Sequence, residues 1–285
     1  MALLDPRAVR RFRRNRGALA GAVIVALAVV LAVFAPALAP HDPNQPFRGR
    51  TLTDQGVPIG PTWEFPLGAD AVGRCELSRL LYGARVSLSV AFAATAIVVV
   101  LGTAVGVVAG YFGGWPDLAL MRAVDALLSF PFLLVVMTLN RVIQKPDLWV
   151  VFVVLGGLSW PSMSRQLRAK VLQLRELDFV TAARALGASN ARVIARHILP
   201  NLVSIVVVIA TTLSAEMIVA ESALSYLGVG VVPPNASWGS MLHQSESLTR
   251  AVPRLTLAPG LAILVTVVGF NLLGEGLRDA FDPKA

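Results

Sequence analysis

The stretch Asp178-Phe-Val-Thr-Ala-Ala-Arg-Ala-Leu-Gly-Ala-Ser-Asn-Ala-Arg-Val-Ile-Ala-Arg-His-Ile-Leu-Pro200 interrupts a chain dominated by apolar runs. Asp178 is placed to cap a helix start, its side-chain oxygen accepting from free backbone N–H groups. Gly187 is placed to end that helix, because glycine enters the left-handed conformation without steric cost. Between them Phe179, Ala182, Ala183 and Leu186 recur at i, i+3, i+4 and i+7, which is one helical face. Thr181 and Arg184 look elsewhere. The two alanines let the helix backbone sit deep in a groove, with Phe179 and Leu186 as apolar ends. Burying those two side chains would contribute roughly 1.5–3 kcal/mol each. Ser189 is placed to cap a second short helix through Ile198, and Pro200 suits the first turn of whatever follows.

Outside this stretch the solvent is a bilayer. Of 285 residues, 55% are hydrophobic and 15% charged, with a mean hydropathy of +0.68; a soluble domain carries about 25% charged residues. Residues 17–39 hold no charge and would run about 34 Å as a helix, enough for roughly 30 Å of hydrocarbon. The Ala37-Leu-Ala39 end resembles a signal-peptide cleavage site, but a signal's apolar region is only about 7–15 residues. An uncleaved first span is therefore expected. Further apolar stretches at 86–109, 118–139, 148–163, 201–220 and 255–274 bring the expected total to six, in an all-α polytopic membrane protein. The third opens with Arg122 and Asp125, spaced to pair at the helix entry, and the fourth is short.

The formal charge is +8, and only three of the 25 basic residues are lysines. The arginines crowd the ends of apolar runs, which suits membrane topology rather than nucleic acid. Residues 1–16 hold Arg7, Arg10, Arg11, Arg13, Arg14 and Arg16, and 164–197 is equally basic. An even number of spans puts both on one side, which the positive-inside rule names cytoplasmic, along with both termini. Segments 40–83 and 222–254 then lie outside and are long for connectors, as ordered functional loops are. Cys75 is the lone cysteine, so no intrachain disulfide is possible, and His41, His197 and His243 have no ligand spacing. On these residues alone, the 178–187 helix is either an amphipathic connector lying on its own membrane surface or a docking element for a partner.

Thr181-Ala-Ala-x-x-x-Gly187, followed by Ile198-Leu-Pro200, resembles the cytoplasmic signature of permease subunits of bacterial ABC importers. Three further stretches are similar to the second permease type of the dipeptide/oligopeptide/nickel branch. They are Pro66-Leu-Gly-Ala-Asp-Ala-Val-Gly-Arg-Cys-Glu-Leu-Ser-Arg-Leu-Leu-Tyr-Gly-Ala-Arg85, Ala109-Gly-Tyr-Phe-Gly-Gly-Trp115 and Asn271-Leu-Leu-Gly-Glu-Gly-Leu-Arg-Asp-Ala-Phe-Asp-Pro283. The resemblance implies a type I importer permease fold in the bacterial inner membrane. It makes Phe179, Thr181, Ala182, Ala183, Leu186, Gly187, Leu199 and Pro200 the coupling site for a separate ATPase. The implied partners are a second permease, two ATPase subunits carrying ATP and Mg, an extracytoplasmic solute-binding protein and a short peptide, with nickel-chelate or glutathione import as the alternative. Three positions depart from the pattern: Thr181 replaces a glutamate, His197 an isoleucine and Cys75 an aspartate.

No Gly-x-x-x-x-Gly-Lys-[Ser/Thr] loop is present; Lys145, Lys170 and Lys284 each follow a residue other than glycine. No P-loop cradle for ATP phosphates is expected on this chain, nor any other cofactor. Two other function classes have candidate residues. A secondary transporter would use an intramembrane ionisable group, for which Glu216, with Glu221 just beyond, is placed. An intramembrane serine protease would use Ser159, but no histidine falls within an expected span to serve as its base. Gly102, Gly106 and Gly110 form a small-residue ridge suited to close helix packing, either internal or against a second permease.

Overall fold

Pro200 and Pro131 decide where two of the long helices begin or break. In the computed structural model, which describes residues 6–142 and 148–281, the elements are helical with three isolated β-bridges. In chain order they are α1 (Pro6–Arg14), α2 (Arg16–Val33), α3 (Ala35–Leu38), α4 (Arg48–Thr51), α5 (Glu76–Phe112), α6 (Gly114–Leu128) and α7 (Phe132–Val142). There follow α8 (Leu148–Arg175), α9 (Asp178–Ala185), α10 (Asn190–Val193), a π turn (Ile194–Ile198), α11 (Leu199–Tyr226), α12 (Trp238–Ser245) and α13 (Arg254–Phe281). Lys145, Lys284 and the closing Asp282-Pro283 lie outside the described residues.

Among the described residues, four helical runs are long and apolar enough to cross a membrane: α2, α5, the continuous run Asn190–Tyr226, and α13. The expected third span is instead two helices, α6 and α7, bent by 79°. Pro131 sits at the bend, where it has no N–H to give, and the Ser129 hydroxyl turns back to donate to the Asp125 carbonyl at 2.8 Å. Counted as one broken span, the pair gives five. The expected fourth span falls within α8, whose apolar part, 148–163, covers about 24 Å before Arg165, Arg168 and Lys170 begin. By length and composition the described residues therefore supply four spans, or five, rather than six. Asp125 pairs with Arg165 of α8 at 2.6 Å, not with Arg122 as its spacing suggested.

The ridge Gly102, Gly106 and Gly110 faces α8. A Cβ on Gly106 would lie 2.8 Å from the Ser164 carbonyl oxygen, and one on Gly110 would lie 2.8 Å from that of Arg168. Glycine is required there because helix meets helix backbone to backbone. The same device joins α2 to α13: a Cβ on Gly21 would meet the Gly269 carbonyl at 2.7 Å, and one on Gly276 the Ala18 Cβ at 2.2 Å.

The two ends of the bundle differ in chemistry. At one end, Arg254 at the start of α13 donates to the carbonyls of Ile59, Leu67 and Ala69, tying the 40–75 segment to the bundle. Within that segment His41 stacks on Phe65 with centroids 4.6 Å apart. Arg79, fully buried, reaches Asp70 at 3.3 Å and donates to the Pro43 carbonyl at 3.2 Å. Arg74 pairs with the same Asp70 at 2.7 Å. A buried guanidinium is tolerable only with such partners. At the opposite end, Asn15 donates to Asp279 at 3.2 Å, bringing the start of α2 to the end of α13. There too Arg168 donates through two nitrogens to Asp117, at 2.5 and 2.6 Å, and Arg175 caps the Gly110 carbonyl at 3.1 Å.

Candidate functional site

The helix at 178–185 sits on this second end. Leu177, not Asp178, occupies the cap position, and Asp178 opens the first turn, where its negative charge meets the positive end of the helix dipole. The far end closes as a Schellman motif. The Gly187 N–H donates to the Arg184 carbonyl at 2.9 Å and the Ala188 N–H to the Ala183 carbonyl at 3.0 Å. Gly187 has φ +80°, the left-handed conformation that this motif requires. Ser189 caps α10 by accepting from the Arg192 N–H.

The second short helix does not end at Ile198. A π turn over Ile194–Ile198 carries it into α11 without a break. Pro200 explains the turn: in regular α-helix its ring would press on the Arg196 carbonyl and leave it without a donor. The wider turn makes room for the ring, with the Leu199 N–H reaching the Ile194 carbonyl and Asn201 Nδ2 donating to the His197 carbonyl at 2.7 Å.

The inward side of α9 is held by Val180, which is fully buried in a cluster with Leu174, Val193, Ile198 and Leu202. Arg184 adds a cation–π contact, 5.0 Å from the Tyr111 ring centre, and the Tyr111 hydroxyl donates to Asn190 at 2.9 Å. The outward side is open, its one ring contact among the described residues being Phe179 with His197, centroids 6.1 Å apart. Phe179 is 41% and Leu186 89% exposed, Thr181, Ala182 and Gly187 are exposed, and Ala183 is half-buried. The structure thus groups Phe179, Ala182 and Leu186 on one open face with Gly187 at its end. Leu199 and Pro200 begin α11 beyond the π turn, where they set the direction of that run.

Sequence reasoning missed Val180, Tyr111 and Arg184 as supports. The signal for Val180 was present, since it is one of the apolar residues of 178–187 off the Phe179/Leu186 face. Tyr111 had no local signal, because its partners lie about 70–80 residues away.

A second feature was also missed: a groove of about 990 Å³ between the α6–α7 bend, α8, α11 and the end of α13. Asn201, Ser204, Val208, Thr212 and Glu216 line it from α11 and Ser159, Ser162, Gln166 and Lys170 from α8. Each set falls on one helical face, a period legible in the sequence but diluted by the apolar residues between. Ser159 therefore faces the groove.

The family model for the binding-protein-dependent transport system inner membrane component matches residues 102–285. A model for the N-terminal TM domain of oligopeptide transport permease C matches residues 7–54. The chain is 37% identical over 281 residues to a putative peptide permease protein of Brucella ovis, covering 98% of this chain and 91% of that protein. It is 36% identical over 277 residues to the dipeptide transport system permease protein DppC of Alkalihalophilus pseudofirmus, covering 97% and 89%. It is 38% identical over 275 residues to the glutathione transport system permease protein GsiD of Escherichia coli, covering 96% and 89%. With matches along nearly its whole length, the chain belongs to the binding-protein-dependent inner-membrane permease family, in the dipeptide/oligopeptide branch of ABC transporters.

Proposed function

We propose that this permease imports short peptides handed over by an extracytoplasmic binding protein, and that separate ATPase subunits drive it through α9. The observation that carries the reading is the split character of α9: one side anchored by Val180 and Arg184, the other offering Phe179, Ala182 and Leu186 to solvent. A connector lying on a bilayer would need no cation–π brace to a neighbouring span. A lever does, because force applied to its outer face has to reach α5 and α11 through Tyr111, Val180 and the π turn. The basic end of the bundle is then cytoplasmic, the outer segments within 40–83 and 222–254 face the binding protein, and a second permease completes the path. ATP and Mg bind on the partner ATPases. Relatives named for peptide and dipeptide transport support peptides as cargo, and the relative named for glutathione keeps a peptide-like thiol as the second reading.

The test is Leu186→Asp or Ala182→Arg in the complete transporter. Both positions are exposed, so insertion and folding are expected to be unchanged. Losing one buried leucine contact of about 1.5–3 kcal/mol weakens ATPase association by about tenfold or more. Full ATPase co-purification and substrate-stimulated hydrolysis in both variants would overturn the docking role.

A further inference from the structure

Among the described residues, three charged side chains line the groove between α8 and α11, and their signs are ordered along it. Lys170 and Arg278 lie toward the end that carries α9, while Glu216 lies 15 residues beyond Asn201 on α11, about 22 Å further along the axis. Glu216 is exposed to the groove, and it makes no hydrogen bond or ion pair with any described residue. A carboxylate at that depth in an apolar helix is costly unless water or a cation faces it. Thr212, one turn before Glu216 on α11, and Ser159 and Ser204 elsewhere along the groove add hydroxyls, which can pair with any amide but distinguish no charge.

We infer that Glu216 is the charge-selecting residue of the cargo path, receiving the protonated α-amino group of a peptide as it passes α11. The inference rests on the peptide-import reading and adds a residue to it. A single acid at this depth favours a solute presenting one cation and repels a wholly anionic one. The neutral hydroxyls along the groove pair with a peptide backbone whatever its side chains, which suits a carrier of many sequences.

The experiment measures uptake of trialanine and N-acetyl-trialanine by cells whose peptide import depends on the complete transporter containing this chain. Loss of a charge-assisted hydrogen bond corresponds to about a tenfold fall. Glu216→Gln is therefore expected to lower maximal trialanine uptake about tenfold, while any N-acetyl-trialanine uptake changes less than twofold. Glu216→Asp is expected to restore trialanine. The inference is overturned if Glu216→Gln stays within twofold of wild type on trialanine, or if both peptides fall equally. It is also overturned if Glu216→Asp fails as badly as Glu216→Gln, or if Glu216→Gln loses the partner permease on purification, since the carboxylate would then be structural. Wild-type cells that import no trialanine would overturn the peptide reading itself, a result separable from the others.

Discussion

Gly187 and Gly157 show how much a single glycine's setting matters. A Cβ at Gly187 meets nothing within 4 Å, so the only objection to a side chain is its φ of +80°. Gly187→Ala should therefore cost about 1–2 kcal/mol of left-handed strain at the end of α9. That would fray the Schellman turn and lower ATPase stimulation, with little change in the melting temperature of the whole protein. Gly106 is the opposite case: its φ is unremarkable but its space is filled by the Ser164 carbonyl. Gly106→Ala should lower the melting temperature of the purified protein, whereas Gly157→Ala, which meets nothing within 4 Å, should leave it unchanged or slightly raised. Equal effects at 106 and 157 would show that the ridge is not packed.

At the scale of the element, the apolar runs reported which segments are helical because burial in lipid or protein demands internally satisfied backbone. They did not report where helices stop. The run 118–139 reads as one span, yet Pro131 divides it, and 189–198 reads as a separate helix, yet a π turn joins it to α11. In each case a proline decided the outcome through its neighbours' carbonyls, which a count of apolar residues does not see. The face of α9 was legible because Phe179, Ala182 and Leu186 share a helical period. Its support was not, since Tyr111 and Val193 reach it only through the tertiary fold. The groove was only half legible for a related reason: Ser204, Thr212 and Glu216 share a helical period, but only the fold shows that α8 supplies the facing wall.

For the whole molecule, the two ends are built for different loads. The 40–75 segment is locked to the bundle by Arg79 of α5, which pairs with Asp70, by Arg254 of α13, and by Arg74, which pairs with Asp70 and donates to Gln244 of α12. Arg79→Ala should cost about 3–5 kcal/mol, because it strips a fully buried partner from Asp70 and the Pro43 carbonyl. Trypsin cleavage at the exposed Arg48 and Arg50 should then quicken. Wild-type cleavage rates in that variant would mean the lock is ornamental. The opposite end carries the open face of α9. On the proposed function, the locked end would receive cargo and the α9 end would receive force, with α5 and α11 joining them for the domain motion of alternating access.

The most direct measurement is a cross-link from the outer face of α9. Cys75 is buried, so Leu186→Cys supplies one accessible thiol on a side chain position that is 89% exposed. A short thiol-reactive photo-cross-linker attached there, in membranes holding the complete transporter, should join this chain to an ATPase subunit, with a yield that changes when ATP is added. Labelling confined to lipid, or an ATPase adduct absent under every nucleotide condition, would contradict the lever.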